Sequence, residues 1–236
     1  MTPKGAPAMI DKFVQTMADA MAGVADGSTV LIAGFGAVGQ PVHLIDGLIE
    51  QGAKELTVVA NNPGVGRVGL ARLLELGRVR KVICSFPRSS DPVVFVELYR
   101  EGRIELEIVP QGTMAERMRA AGAGIPAFFT ATSVGTRLAL GKEHREIDGR
   151  TYVLEDALPG DLALVECWRA DRWGNLTYRQ SGRNFNPVMA MAGRLTVVQT
   201  QHVVELGDLD PEVIVTPGIF VDRVIHIPYG DPAHGG

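Results

Sequence analysis

The 236-residue chain is long enough to bury a substantial core, and its 46% apolar and 21% charged residues describe an ordinary globular protein. Its formal net charge is −4 and no Lys/Arg-rich stripe occurs, which excludes a nucleic-acid partner, whose phosphates demand clustered cations. Two isolated cysteines, Cys84 and Cys167, five scattered histidines and the lack of a leader-like or roughly 18-residue apolar run point to a cytoplasmic protein with no metal, disulfide framework or membrane partner.

Ile10, Phe13, Val14, Met17, Met21 and Val24 recur every three or four residues, which predicts an N-terminal helix. After a turn at Asp26-Gly27-Ser28, short apolar runs read as buried parallel strands over 29–33, 56–60, 81–84 and 104–109. Helical stretches lie between them. Asp91-Pro92 is expected to cap a helix over 93–101, closed by Gly102. Thr113 and Glu116 have the spacing of a capping box for a helix that Gly122 ends. This alternation predicts an α/β fold, an open, mostly parallel sheet with helices on both faces.

The second half reads as mixed, with antiparallel strands. Asp148-Gly149 is a hairpin turn between 145–147 and 151–154, and a second turn at 171–175 separates 162–168 from 176–178. Asn186-Pro187 is expected to cap a helix over 188–192, followed by strands at 195–199 and 213–215. No linker or repeat divides residues 1–236, so they are read as one domain with a frayed tail over 231–236.

Ligands of a parallel α/β sheet bind past the C-terminal strand ends. Those loops are 34–39, 61–66, 85–91 and 110–113, all rich in glycine or short polar side chains, which suits a polar, anionic ligand. Gly34-Phe35-Gly36-Ala37-Val38-Gly39 matches the dinucleotide fingerprint in form. However, the next strand ends in Asn61-Asn62, where that fingerprint expects a carboxylate for the ribose hydroxyls, so the nicotinamide reading is set aside. No G-K-[ST] follows the glycines and no G-x-S-x-G elbow occurs, which removes the P-loop and serine-hydrolase readings.

Taken together, Asp26–Phe35, Gly39-Gln40-Pro41, Val109–Arg117, Gly122–Phe128, Asp171–Tyr178 and Asn184–Ala190 resemble the A subunits of family I CoA-transferases over nearly the whole chain. Ala33 stands where the family usually has a glycine, and Val134 where a tyrosine is common. Cys84–Asp91 resembles the 3-oxoadipate branch of the family. The resemblance implies transfer of CoA from succinyl-CoA to a 3-oxo dicarboxylic acid. CoA thioesters are then substrates, and no separate cofactor is expected.

It also implies a glutamate nucleophile in an S-E-N-G segment of a B subunit, which this chain lacks, and an A2B2 assembly. On that basis Gln111 is expected to support an oxyanion through its amide, with satisfaction of a turn as the alternative. Gly34, Phe35, Gly36 and Gly39 are expected to bind substrate or CoA, the glycines through close backbone approach or simply as a tight turn. Asn61 and Asn62 either orient a carboxylate or serve as strand-end turn residues. Arg88 is expected to hold the distal carboxylate of a dicarboxylic acid, against an exposed arginine beside a helix start. Two other readings stay open: an acetoacetate-type 3-oxoacid CoA-transferase subunit, and a non-catalytic ligand-binding module on the same fold.

Overall fold

The computed structural model describes residues 9–88 and 90–228, so Ser89 and the tail expected to fray lie outside the described residues. In chain order the elements are α1 (Met17–Ala20), β1 (Thr29–Ile32), α2 (Val42–Gln51), β2 (Leu56–Ala60), α3 (Leu70–Glu75), β3 (Val79–Cys84), α4 (Val93–Arg100), β4 (Glu105–Ile108) and α5 (Gln111–Gly122). There follow β5 (Ala127–Thr130), β6 (His144–Ile147), β7 (Arg150–Asp156), β8 (Gly160–Ala170), β9 (Leu176–Thr177), α6 (Asn186–Ala192), β10 (Gly193–Val203) and β11 (Arg223–His226).

Seven strands form a parallel sheet in the order β11-β10-β8-β1-β2-β3-β4, and β9 adds to β8 antiparallel. The alternation along β1 shows how the sheet is held. Val30 and Ile32 enter one core with α1 to α4, whereas Leu31 and Ala33 enter the other with α5 and α6. Each fully buried Leu or Ile there stabilises the fold by about 1.5–3 kcal/mol. β5, β7 and β6 form a separate antiparallel sheet, whose β6–β7 turn is Asp148-Gly149 with φ of 51° and 72°. The second half is therefore mixed as expected, although its longest strands, β8 and β10, run parallel in the main sheet.

Several expectations fail for a common reason, competition from distant partners. The N-terminal helix shrinks to the four residues of α1. Residues 12–14 instead run extended along β11: Val14 N–H donates to Val224 O and Val224 N–H to Lys12 O, both at 2.8 Å. That pairing covers an edge strand that would otherwise stand open. The Thr113 capping box does not form either. α5 starts three residues earlier behind Pro110, leaving Thr113 buried inside the helix.

Pro92, rather than Asp91, precedes α4, with no side-chain cap. Asn186 is drawn into α6, and Phe185 occupies the capping position. Residues 211–213 form a single 3-10 turn rather than the start of a strand, and only an isolated bridge from Thr216 to Leu176 follows, beside a bond from Val215 N–H to Leu176 O. The sequence reading missed β5 and β11.

Tertiary capping recurs at α2. Its own flank offers no side-chain cap, so Gln199 on β10 accepts from the N–H groups of His43 (3.2 Å) and Leu44 (3.3 Å). A chain of charges joins the small sheet to the main one. Lys81 meets Glu107 at 2.6 Å, Arg117 meets Glu107 at 3.2 Å and Glu155 at 3.9 Å, and Lys142 also pairs with Glu155.

Candidate active site

The strands after β1 are added on one side of it as β2, β3 and β4, and on the other as β8, β10 and β11. The sheet thus reverses its order of growth at β1, and the crevice past a strand end at such a reversal is where α/β sheets bind ligands. A cavity of about 560 Å³ lies there, lined by the loops that follow β1, β2, β3 and β4. It brings together six of the eight residues singled out above: Phe35, Gly36, Asn61, Asn62, Arg88 and Gln111. Gly34 and Gly39 do not line it. Gly34 has φ +121° and lies so close to Gln40 that a Cβ would fall 3.1 Å from its Cα, so this glycine shapes the turn. Gly39 borders a second cavity behind the loop, beside Glu166 and Gln201.

Asn61 is the hub. Its side-chain oxygen accepts from Ser85 Oγ and from Gln111 Nε2, each at 2.8 Å, while its backbone oxygen accepts from Phe86 N–H at 3.0 Å. With its oxygen doubly engaged and its amide nitrogen bonded to no described residue, buried Asn61 can present N–H to a ligand. Asn62 differs. Its side-chain oxygen accepts from Gly64 N–H at 3.0 Å and closes an Asx turn.

Gln111 is the first residue of α5 rather than a residue ahead of the cap, so it sits at the positive end of that helix with one amide N–H committed to Asn61. Ser85 and Phe86 were not singled out in the sequence. The available signal was positional, since Ser85 follows β3 as Asn61 follows β2.

Arg88 is exposed on the rim and forms no ion pair with a described residue. It is the charged group among the described lining residues, which gives the cavity a positive bias. Those lining residues include no aspartate, glutamate, cysteine or histidine. Cys84 ends β3 beside the site but is buried, and burial pushes its thiol up to about 12, so it is no thiolate at neutral pH. Among the described residues, no group of His, Cys, Asp and Glu side chains is placed to hold a metal ion. Likewise, no described helix is long and apolar enough to cross a membrane.

The described lining thus offers amide donors, serine hydroxyls and one cation, and no carboxylate or thiol. A model of the coenzyme A transferase family matches residues 14–226. The chain belongs to the coenzyme A transferase family. It is 59% identical over 219 residues to the A subunit of the 3-oxoadipate CoA-transferase of Pseudomonas putida, covering 93% of this chain and 95% of that one. It is 56% identical to the corresponding A subunit from Acinetobacter baylyi, also of a 3-oxoadipate CoA-transferase, with 93% and 96% covered. Identity to the A subunit of the probable succinyl-CoA:3-ketoacid coenzyme A transferase of Bacillus subtilis is 50%, with 85% and 83% covered.

Among solved structures, the glutaconate coenzyme A-transferase of Acidaminococcus fermentans superposes with a TM-score of 0.79 at 20% identity, covering 92% of this chain and 76% of that one. An acyl-CoA transferase from E. coli O157:H7, solved as a thioester complex with CoA, gives 0.79 at 20% identity. There the match covers 93% of this chain but 49% of the other, so this chain spans about half of that protein. These two likenesses establish the fold.

Proposed function

We propose that this chain is the A subunit of a two-chain transferase that moves CoA from succinyl-CoA to 3-oxoadipate, with the nucleophilic glutamate on the B subunit. The observation that carries the reading is a strand-end cavity whose described lining has amide donors and one guanidinium but no carboxylate to act as the nucleophile. The higher identity to 3-oxoadipate than to 3-ketoacid relatives supports the acceptor.

In this reading the glutamate carboxylate attacks the thioester carbonyl, and the oxyanion that forms collapses to a mixed anhydride as CoA leaves as thiolate. The thiolate then attacks the glutamyl carbonyl of the anhydride, expelling succinate and leaving CoA on the enzyme as a thioester. The carboxylate of 3-oxoadipate repeats the two steps in reverse and departs as its CoA ester. This chain contributes amide hydrogen-bond donors, including Gln111, where negative charge develops on oxygen. Asn61 orients the acid, Phe35 and Gly36 border the acyl group, and Asn62 fixes the loop that holds it. The assembly is an A2B2 complex in the cytoplasm, each A subunit one domain, with CoA thioesters as substrates and no resident cofactor.

Co-expression with the B subunit tests this directly. Transfer from succinyl-CoA to 3-oxoadipate is expected only when both chains are present. Activity from this chain alone would overturn the missing nucleophile, and preference for acetoacetate would move the protein to the 3-oxoacid reading.

Arg88 carries the specificity prediction. Its guanidinium matches the distal carboxylate of a dicarboxylic acid in fork geometry. Losing one such charged hydrogen-bonding partner costs about 1.5–3 kcal/mol, so Arg88→Leu should raise KM for 3-oxoadipate about 10–100-fold and spare acetoacetate. Equal losses on both acids would show that Arg88 does not read the second carboxylate.

A further inference from the structure

The glycine turn after β1 is gripped from behind by two asparagines that lie outside the substrate cavity. Asn184 donates from Nδ2 to Val38 O and to Ser181 O, both at 3.0 Å, and its Oδ1 accepts from Phe185 N–H at 2.6 Å. Asn186 is fully buried. It donates from Nδ2 to Gly39 O at 3.0 Å and Gly182 O at 2.8 Å, and accepts at Oδ1 from Glu166 N–H at 2.8 Å. Two consecutive carbonyls of the turn are therefore fastened to the α6 side by these side chains.

No peptide bond among the described residues is cis, and in a trans peptide the C=O and the following N–H point in opposite directions. Fastening Val38 O and Gly39 O thus aims the N–H groups of Gly39 and Gln40 away from the asparagines. These two amides, and those of Gly36 and Ala37, donate to no described acceptor. Gly36 and Ala37 line the cavity itself. The grip leaves no room at Gly39, where a Cβ would lie 2.6 Å from Gly182 O at a φ of +65°.

We infer that Asn184 and Asn186 are positioning residues, which anchor the far limb of the 34–40 turn at Val38 and Gly39 and thereby hold its cavity limb so that the open amides of Gly36 and Ala37 meet the reacting acyl group. The inference rests on the reading of this cavity as the acyl-transfer site. A turn free to rotate its peptide planes would still bind substrate, but its donors would no longer be fixed where charge develops, and the loss would fall on kcat.

The test compares Asn184→Ala with Asn184→Asp in the two-subunit complex. The aspartate keeps the acceptor for Phe185 N–H yet cannot donate to Val38 O, so it separates the grip from a local turn. Both variants should lose about 10–100-fold in kcat, with KM for succinyl-CoA moved by less than about threefold. Hydrogen exchange at the Phe35 and Val38 amides, which bond to each other's carbonyls, should quicken in both variants while the rest of the chain stays protected. Wild-type kcat in Asn184→Asp would overturn the inference, as would unchanged exchange across the turn. If Asn184→Asp does not fold, Asn184→Ser keeps a hydroxyl for Phe185 and cannot reach Val38. A wild-type complex that transfers no CoA would remove the acyl-transfer reading, and the exchange measurement would still decide the grip.

Discussion

Replacing Gln111 with leucine should lower kcat for CoA transfer about 10²–10³-fold, the loss typical of removing one oxyanion donor, with little change in KM. The split follows from when the interaction is made. A carbonyl oxygen is a weak acceptor in the bound thioester and a strong one once the carboxylate has attacked, so the donor acts in the transition state. The geometry suits that role: Gln111 opens α5, and its bond to Asn61 at 2.8 Å holds the amide in place while leaving its second N–H open. Steady-state kinetics of the complex checks it. A kcat within about threefold of wild type would reduce Gln111 to a prop for Asn61, and a rise in KM without loss of kcat would make it a ground-state binder.

The second large effect concerns stability. Glu155 is 2% exposed and pairs with Lys142 and Arg117. Glu155→Leu leaves Lys142 without its carboxylate, while Arg117 keeps Glu107, and losing a hydrogen bond between charged groups costs about 1.5–3 kcal/mol, to be read from denaturant unfolding. Adding Lys142→Met should restore part of the loss, because it removes the abandoned charge. A single variant as stable as wild type would show that water already screens the pair.

Glu107, farther along the same chain of charges, supplies the pH dependence. Burial opposes its ionisation, yet hydrogen bonds and attraction from Lys81 and Arg117 outweigh it and hold the carboxyl below its usual 4.5. A carboxyl depressed on folding contributes stability that is complete above the unfolded value and lost as pH falls through the folded one. The gap between wild type and Glu107→Gln should therefore be widest near neutrality and close below about pH 4.5.

How much of this was legible beforehand varies from element to element. β2 lies where its apolar run ends, at 56–60, because a strand buried on both faces needs only hydrophobic continuity to declare itself. The hairpin at Asp148-Gly149 was equally plain, since few residue pairs accept two positive φ angles. The N-terminal spacing misled, because three- and four-residue intervals also suit a chain that runs extended and then turns once. Thr113 misled in the same way: a capping box is only an offer, and Pro110 let the helix begin earlier.

At the site, strand-end positions picked out the loops that hold Asn61, Arg88 and Gln111, since the ends of parallel strands converge whatever the helices between them do, and the family resemblance singled out Gln111 among them. Local patterning along the sequence therefore determined the parallel α/β architecture and the loops that line the strand-end cavity, because strand burial and turn geometry depend on near neighbours. The tertiary structure alone decided which way each polar group faces. Asn61 became a hub between Ser85 and Gln111, Gln199 capped a helix more than 150 residues away, and Asn186 left its expected cap to hold Gly39. A buried amide must find partners in every direction, and those partners come from segments that only folding brings together.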